Sequence, residues 1–496
     1  DALEAWRAQW QSEQAQPACQ SAKTYRPRLA YFSPLQPAQS GISDYSAELL
    51  PALSRHYAID VIVAQPETVT DPWVLGNAPV RSVAWFERNS QQFDRLLYHF
   101  GNSEFHAHQF DLIQRYPGVV VLHDFFLSSV LAKVLENQQL GVWPQALLAS
   151  HGWPALMDAH RAKDANEIIM RYPANLPVLQ AALGVIVHAD FSRKLAAQFY
   201  GAGFADDWAL IKHLRVPVAK VDRKRARAAL GISPDTFLVC SFGFLDSTKL
   251  NHRLLAAWQH SPLAQAANCK LVFVGQNHGG DYGAQLQQTL QSPPFAGHAR
   301  ISGWADEETY RLYLQAADVA VQLRTLSRGE TSGTVLDCMN YGVPTIVNAN
   351  GSMAELPAEA VLMLPDVFSD AELSAALERL WRNPALRSEL GARARAYIET
   401  DHDPRHCAAQ YAKAIEGAYA QAQKTTLGMA QHIARLGAPD DPQDLSRTAQ
   451  RMAEIYPVKR PAGQQLLFDV SELAAGGHNP GIHRVVRRVL QELFAH

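Results

Sequence analysis

Ser327 to Ile346 reads SRGETSGTVLDCMNYGVPTI, and it lies between two short apolar runs, DVAVQLR (318–324) and VPTIVNA (343–349). TVLDCMNYG reads as a helix ending at Gly342, a residue suited to the position just past a helix end, and Pro344 blocks further helix. Strand, loop, helix and strand in that order make a βαβ unit and a parallel sheet. Arg328 to Gly333 is then the strand-to-helix loop. Thr331 or Ser332 can cap the helix, and Gly333 lets a ligand approach the backbone. Free N–H groups and the helix dipole suit a phosphate there. Glu330 can accept hydrogen bonds from hydroxyls carried by that phosphate. Asp337, one turn inside the helix, can reach a second hydroxylated group such as a ribose. Two acids that merely flank a helix cap are an equally good reading of these residues alone.

The same alternation extends outward in both directions. RLAYFS (28–33), AIDVIVA (58–64), RLLYHFG (95–101), GVVVLHD (118–124) and LGVIVHA (183–189) read as strands separated by amphipathic segments such as DYSAELLPALSRHY (44–57). The pattern restarts with FLVCSFG (237–243), CKLVFVG (269–275) and ARISGW (299–304), and runs through the quoted unit. Two doubly wound domains are expected, 25–215 and 216–420, joined near Val216–Pro217. Ligands of such sheets bind beyond the carboxyl ends of the strands. Two such domains facing each other leave a cleft for a two-substrate reaction. Residues 1–24 are expected to be a polar linker helix and 421–463 a second linker. QQLLFDVSELAAGGHNPGIHRVVRRVLQEL (464–493) echoes residues 28–53, so 464–496 reads as the start of a second, truncated copy. Further domains of the same polypeptide are expected partners.

The bulk composition excludes several classes. With 496 residues, 47% of them hydrophobic, the chain is large enough for two or three cores. A net charge of −3 gives no electrostatic footprint for nucleic acid. No run approaches the ~20 apolar residues of a membrane span, and no signal-peptide core is present. The one basic run, KVDRKRARAAL (220–230), reads as the solvated start of a helix, with a membrane-surface patch as the other reading. Cysteines at 19, 240, 269, 338 and 407 share no metal-ligand spacing, and Cys240 and Cys269 read as small core residues. Reduced thiols imply a cytoplasmic setting, with association at the inner face of the membrane as the variant of it. A zinc spacing, a Ser/His/Asp set and a GxGxxG after the first strand are all missing from the sequence.

GETSGTVLDCMNYGVPTI resembles the donor-site motif of retaining GT-B glycosyltransferases of family four, which usually carries two glutamates with seven residues between them. On that alignment Asp337 takes the second acid's place and Glu330 stands one residue late for the first. SFGFLDSTKLNHRLL (241–255) resembles the family's Gly-Arg-x-x-x-x-Lys: Gly243 and Lys249 match, but Phe244 stands where the family has Arg. Arg253 and Arg328 are the candidates to compensate. In SPLQPAQSGISDYS (33–46), Gly41 resembles the family's loop glycine near donor phosphate and acceptor. VVVLHDFF (119–126) places His123, which often contacts the donor sugar in the family, and Asp124 at a strand end; a core histidine is the competing reading. Asn102 and His106 in YHFGNSEFH (98–106) are expected cleft polar groups. VGQNHGGDYG (274–283) could shape a base pocket or be an uncontacted loop. In ISGWADEETYRLYLQAADVAVQL (301–323) the backbone near Gly303 and Trp304 matches the segment that meets the nucleobase.

The resemblance covers residues 25–420. It implies transfer of a sugar from a nucleotide-diphosphate sugar to a hydroxyl of a growing or lipid-linked glycan, with retention, no cofactor and no metal. It assigns Lys249 and the Thr331, Ser332 and Gly333 amides to phosphate, Glu330 to sugar hydroxyls, Asp337 to ribose and His123 to the sugar side. Bacterial multi-domain relatives build polysaccharides such as O-antigen and lipopolysaccharide; mannose or rhamnose is the first expectation for the sugar. An epimerase-like enzyme and a non-catalytic glycan-binding scaffold on the same fold are the alternatives.

Overall fold

The computed structural model describes residues 26–422, apart from Pro294, and scattered helical residues after 442. The helix expected at 1–24, nearly all of the linker at 421–463 and nearly all of the second copy from Gln464 lie outside the described residues.

Among the described residues thirteen strands form two sheets. The first contains β1 (Arg28–Phe32), β2 (Ala58–Val63), β3 (Val80–Ser82), β4 (Arg95–Phe100), β5 (Val119–Leu122), β6 (Gly184–Val187) and β7 (Ala209–Leu210), in the order β3-β2-β1-β4-β5-β6-β7. The second contains β8 (Phe237–Phe242), β9 (Cys269–Val274), β10 (Ala299–Ile301), β11 (Val319–Gln322), β12 (Thr345–Asn348) and β13 (Leu362–Leu364), in the order β10-β9-β8-β11-β12-β13. Every pairing is parallel. The architecture is the expected pair of doubly wound α/β units. β3, β7 and β13, of three, two and three residues, were too short to stand out as apolar runs.

The central strands read as unbroken apolar runs because helices cover both faces. All six residues of β8 and all four of β11 are buried. Phe237 and Val239 pack into a core with Trp258, while Leu238, Cys240 and Phe242 pack into another on the opposite face. Cys240 and Cys269 are fully buried, as the sequence implied. In the second sheet the strand order reverses between β8 and β11. That reversal opens a crevice at their carboxyl ends.

Four helices matter for the site: α1 (Gly41–Leu53), α2 (Asp190–Tyr200), α3 (Gly333–Asn340) and α4 (Pro404–Ala422). Gly342 takes φ +66 just after α3, the left-handed conformation expected of it. Although the sequence placed its residues with the second domain, α4 packs on the first. Tyr411 Oη lies 2.7 Å from Tyr45 Oη on α1, and Arg95 Nη2 donates to Glu416 at 2.6 Å.

The basic run is only partly the solvated helix start that was expected. Asp222 caps helix Arg223–Ala229 by accepting from Arg225 N at 3.1 Å. Arg227, however, is buried and pairs with Asp318 at 2.6 Å, and Arg223 pairs with the same carboxylate. Asp318 Oδ2 also accepts from Leu238 N at 2.7 Å, tying the start of β11 to β8. Asp318→Ala removes the partner of a buried cation, so it is expected to cost about 3–5 kcal/mol of stability, read as a lowered midpoint in urea denaturation.

Candidate active site

The loop between β11 and α3 is seated on the other domain. Phe125 N and Phe126 N, just past β5, donate to Arg328 O at 3.0 and 3.2 Å, and Ser192 Oγ donates to Gly329 O at 3.1 Å. Gly329 has φ +91, and a Cβ there would lie 2.4 Å from Phe125 Cβ. A second clamp uses the Gly351–Glu355 turn. Glu355 accepts from Asp190 N at 2.9 Å and Phe191 N at 2.6 Å, placing a carboxylate on the N-terminal turn of α2. Carboxyl ends of both sheets therefore meet across the crevice.

α3 opens into this crevice. Ser332 occupies the N-cap position, but its hydroxyl makes no capping bond; it lies 3.3 Å from Thr334 Oγ1. Thr331 Oγ1 is buried without a partner. The capping expected of these two hydroxyls is thus not made: Ser332 Oγ meets the Thr334 hydroxyl instead of an amide, and Thr331 Oγ1 meets none. The first amides of α3 are left for another acceptor. Lys249 approaches from a turn after β8 (Ser247–Lys249). Its Nζ lies 3.0 Å from the point where a Cβ on Gly243 would stand, and Thr334 Cγ2 lies 3.4 Å from the same point. The lysine amine therefore sits between the end of β8 and the first turn of α3. Burial, and next the charge of Arg324, pull its pKa down to about 8.

Glu330 Oε2 accepts from Arg328 N at 2.7 Å, and Ser352 Oγ donates to Glu330 O at 2.8 Å, so this acid is held by its own domain. Its charge is felt across the crevice. Burial first, then the field of Glu330, raises the pKa of Asp124 to about 6. Asp337 is already engaged: Arg215 Nε donates to it at 2.8 Å and Tyr310 Oη at 2.9 Å. Arg215, in the connection between the domains, places Nη2 2.7 Å from the Cβ point of Gly333, at the start of α3. The sequence reading missed it, since one arginine in an irregular connection carries no local signal. It also passed over Arg324, whose signal was a charge closing the apolar run DVAVQLR.

Several expected site residues sit elsewhere. Arg253 pairs with Asp370, donates to Phe368 O at 2.9 Å and stacks on the Phe368 ring, so it braces the second domain instead of meeting a donor. Arg328 offers its carbonyl to the first domain, and its side chain reaches Met170 Sδ at 3.7 Å, not α3. His106 is fully buried with Nδ1 2.8 Å from His99 O and faces the core, because the short helix carrying it turns inward. Asn102 is an organiser of the site: its N–H donates to Asp124 at 2.8 Å and its Oδ1 accepts from Val130 N at 3.1 Å. Gly41 is the first residue of α1, with open space where a Cβ would go. Trp304 is 66% exposed beside Gly303, at the carboxyl end of β10. Among the described residues no cluster of three or more His, Cys, Asp or Glu is arranged to hold a metal ion.

His123 is the meeting point of the catalytic and core readings. It is 8% exposed, and Nε2 lies 2.9 Å from His99 Nδ1. His123, His188 and His213 surround the Tyr45 ring with centroids 4.9, 5.2 and 4.5 Å away. Burial holds all of these imidazoles neutral.

Residues 222–397 match the family model described as glycosyl transferases group 1. The second domain thus carries the match to a glycosyl transferase family, and the two-domain fold is of the GT-B kind. Among solved structures, HepE of Anabaena in complex with UDP and glucose superposes with a TM-score of 0.56 at 16% identity, covering 79% of this chain and 100% of that one. A sucrose-phosphate synthase of Thermosynechococcus elongatus gives 0.55 at 16% identity, covering 80% and 100%. A glycosyltransferase of Rickettsia africae gives 0.56 at 8% identity, covering 79% and 99%. At those identities the likeness is one of fold. No curated protein matches the sequence. No described helix is long and apolar enough to cross a membrane.

Two predictions follow from this geometry. Gly329→Ala asks a non-glycine residue to adopt a left-handed conformation, costing roughly 1–2 kcal/mol, and drives its Cβ into Phe125. The loop should lift from the first domain, raising the donor KM several-fold; an unchanged KM would show that the seating is dispensable. His188 and His402 titrate near 4 when folded, against 6.5 ordinarily, because burial penalises the charged ring. Between those values the unfolded chain binds protons that the folded chain refuses, so stability falls as pH falls through that window. Urea midpoints at pH 7 and 5 should differ less in His402→Gln than in the wild type.

Proposed function

We propose that the protein moves a sugar, with retention at the anomeric carbon, from a nucleoside diphosphate to a hydroxyl of a growing polysaccharide or lipid-linked glycan, without a divalent metal. The observation that supports this most is the placement of Lys249 against the uncapped first turn of α3, where β8 and β11 diverge. When the bond from sugar to diphosphate breaks, negative charge accumulates on the departing phosphate. Lys249 and the amides of Thr331, Ser332 and Gly333 stabilise that charge more strongly than they stabilise the ground state. Glu330 receives sugar hydroxyls. Asp337, oriented by Arg215 and Tyr310, receives the ribose. His123, kept neutral by burial, lines the sugar side. Gly303 and Trp304 border the base. The acceptor hydroxyl loses its proton to an oxygen of the leaving phosphate on the same face of the sugar, so no side-chain base is required. Mannose or rhamnose remains the first choice of sugar, and O-antigen or lipopolysaccharide the first choice of product. The reaction is placed in the cytoplasm, at the inner face of the membrane where the acceptor is lipid-linked.

A binding-only module is the second reading, favoured by Phe244 in place of the family's arginine. Release of nucleoside diphosphate separates the two. Purified protein is incubated with a panel of nucleotide sugars, beginning with UDP-glucose because the Anabaena structure holds UDP and glucose, and including mannosyl and rhamnosyl nucleotides. Lys249→Ala is expected to lower kcat/KM roughly 10²–10³-fold with the melting temperature unchanged. Since Lys249 loses its charge near pH 8, kcat/KM should fall as pH rises past about 8. Undiminished turnover in Lys249→Ala contradicts the phosphate assignment.

A further inference from the structure

We propose that Arg324 is the second cation of the donor diphosphate site, contacting from the end of β11 the phosphate oxygens that an arginine at position 244 would otherwise hold. The inference rests on the glycosyl-transfer reading above. It concerns a residue on the opposite side of the β8/β11 crevice from Phe244.

The main chain of Arg324 is pinned at both ends of one residue. Its N–H donates to Asn348 Oδ1 at 2.8 Å and its carbonyl accepts from Asn348 Nδ2 at 2.7 Å, and Asn348 is itself fully buried. The guanidinium is half-buried yet holds no carboxylate. Nη1 donates to Leu323 O at 3.2 Å, and Nη2 lies 3.5 Å from Ser332 Oγ at the N-cap of α3. Three other inward-turned arginines of this domain and its junction have an acid: Arg215 has Asp337, Arg227 has Asp318 and Arg253 has Asp370; Arg387, which has none, instead gives its Nη1 to Trp381 O and stacks on Phe237 in the core, away from α3. Among the described residues, Arg324 and Lys249 form no ion pair, although each lies in the other's field. Glu330 and Asp246 act on both cations only from a distance.

Two like charges held together, half out of water, beside unclaimed amides, form a site short of negative charge. A diphosphate carries the complementary charge and enough acceptor oxygens for a guanidinium fork, which has donors to spare here. Phe244 cannot supply this. Its ring is 46% exposed and lies 6.0 Å from the His278 ring, past the end of β9.

The test uses calorimetric binding of UDP and UMP, repeated with whichever nucleoside diphosphate the wild type releases from the sugar panel. Arg324→Gln is expected to weaken diphosphate binding roughly tenfold to a hundredfold and monophosphate binding much less. Removing its charge also relieves Lys249, so the alkaline limb of kcat/KM should move to higher pH. A residue that only braced the fold would not shift that limb. Arg324→Lys keeps the charge but not the fork; with an unchanged melting temperature it should lose diphosphate affinity and leave monophosphate affinity intact. If Lys249→Ala abolishes release while both Arg324 variants bind diphosphate like the wild type with an unmoved limb, the inference is overturned and the site reading stands. If Lys249→Ala is as active as the wild type, the site reading itself is wrong and takes the inference with it.

Discussion

The carbonyl oxygen of Arg328 accepts two amide protons from the opposite domain, and the groups of the crevice take their places from that contact. It is a backbone interaction, so it seats the loop independently of the Arg328 side chain. Gly329 then packs against Phe125 with no room for a methyl group. The next residue, Glu330, is brought within the electrostatic reach of Asp124 on the other sheet. Three residues further the chain enters α3 with its first amides at the crevice. The Glu355 carboxylate on α2 is a second point of attachment, and two points resist the rotation that one would allow.

Charge is distributed unevenly around this loop. Asp337 and Arg215 neutralise one another where the ribose is proposed to lie. Where the phosphates are proposed to lie, Lys249 and Arg324 stand together, and the lysine's depressed pKa reflects burial together with that repulsion. A ligand bearing two phosphates relieves both penalties at once. Selectivity for a diphosphate over a single phosphate can therefore arise from charge balance before any base or sugar is recognised. The strand ends of the first domain carry neutral imidazoles packed around Tyr45.

Some of the site could be read along the chain and some could not, for identifiable reasons. Lys249, Glu330 and the glycine-led start of α3 lie within single strand-loop-helix units, where spacing dictates position. Arg253 and Arg328 were misplaced because an arginine's long stem lets its head reach acids or sulfur far from its Cα, and only the packed structure shows which. His106 and Asn102 were read as cleft groups from their place after a strand. A short turn of helix sends the histidine inward and spends the asparagine on Asp124 and Val130. Arg215 and Arg324 escaped notice because their significance depends on neighbours remote in sequence: Gly333 and Asp337 for one, Lys249 and Asn348 for the other.

The sequence by itself determined the two parallel sheets, the positions of their longer strands and the strand-to-helix loop proposed to meet a phosphate. Those features follow from alternation of apolar runs with helices and from glycine and proline at the ends of α3, all local in range. Only the tertiary structure decided which cations stay unpaired, which acids are already satisfied and how the β11–α3 loop sits on the first domain. Each of those depends on side chains and carbonyls that meet across long stretches of chain, where no spacing rule reaches.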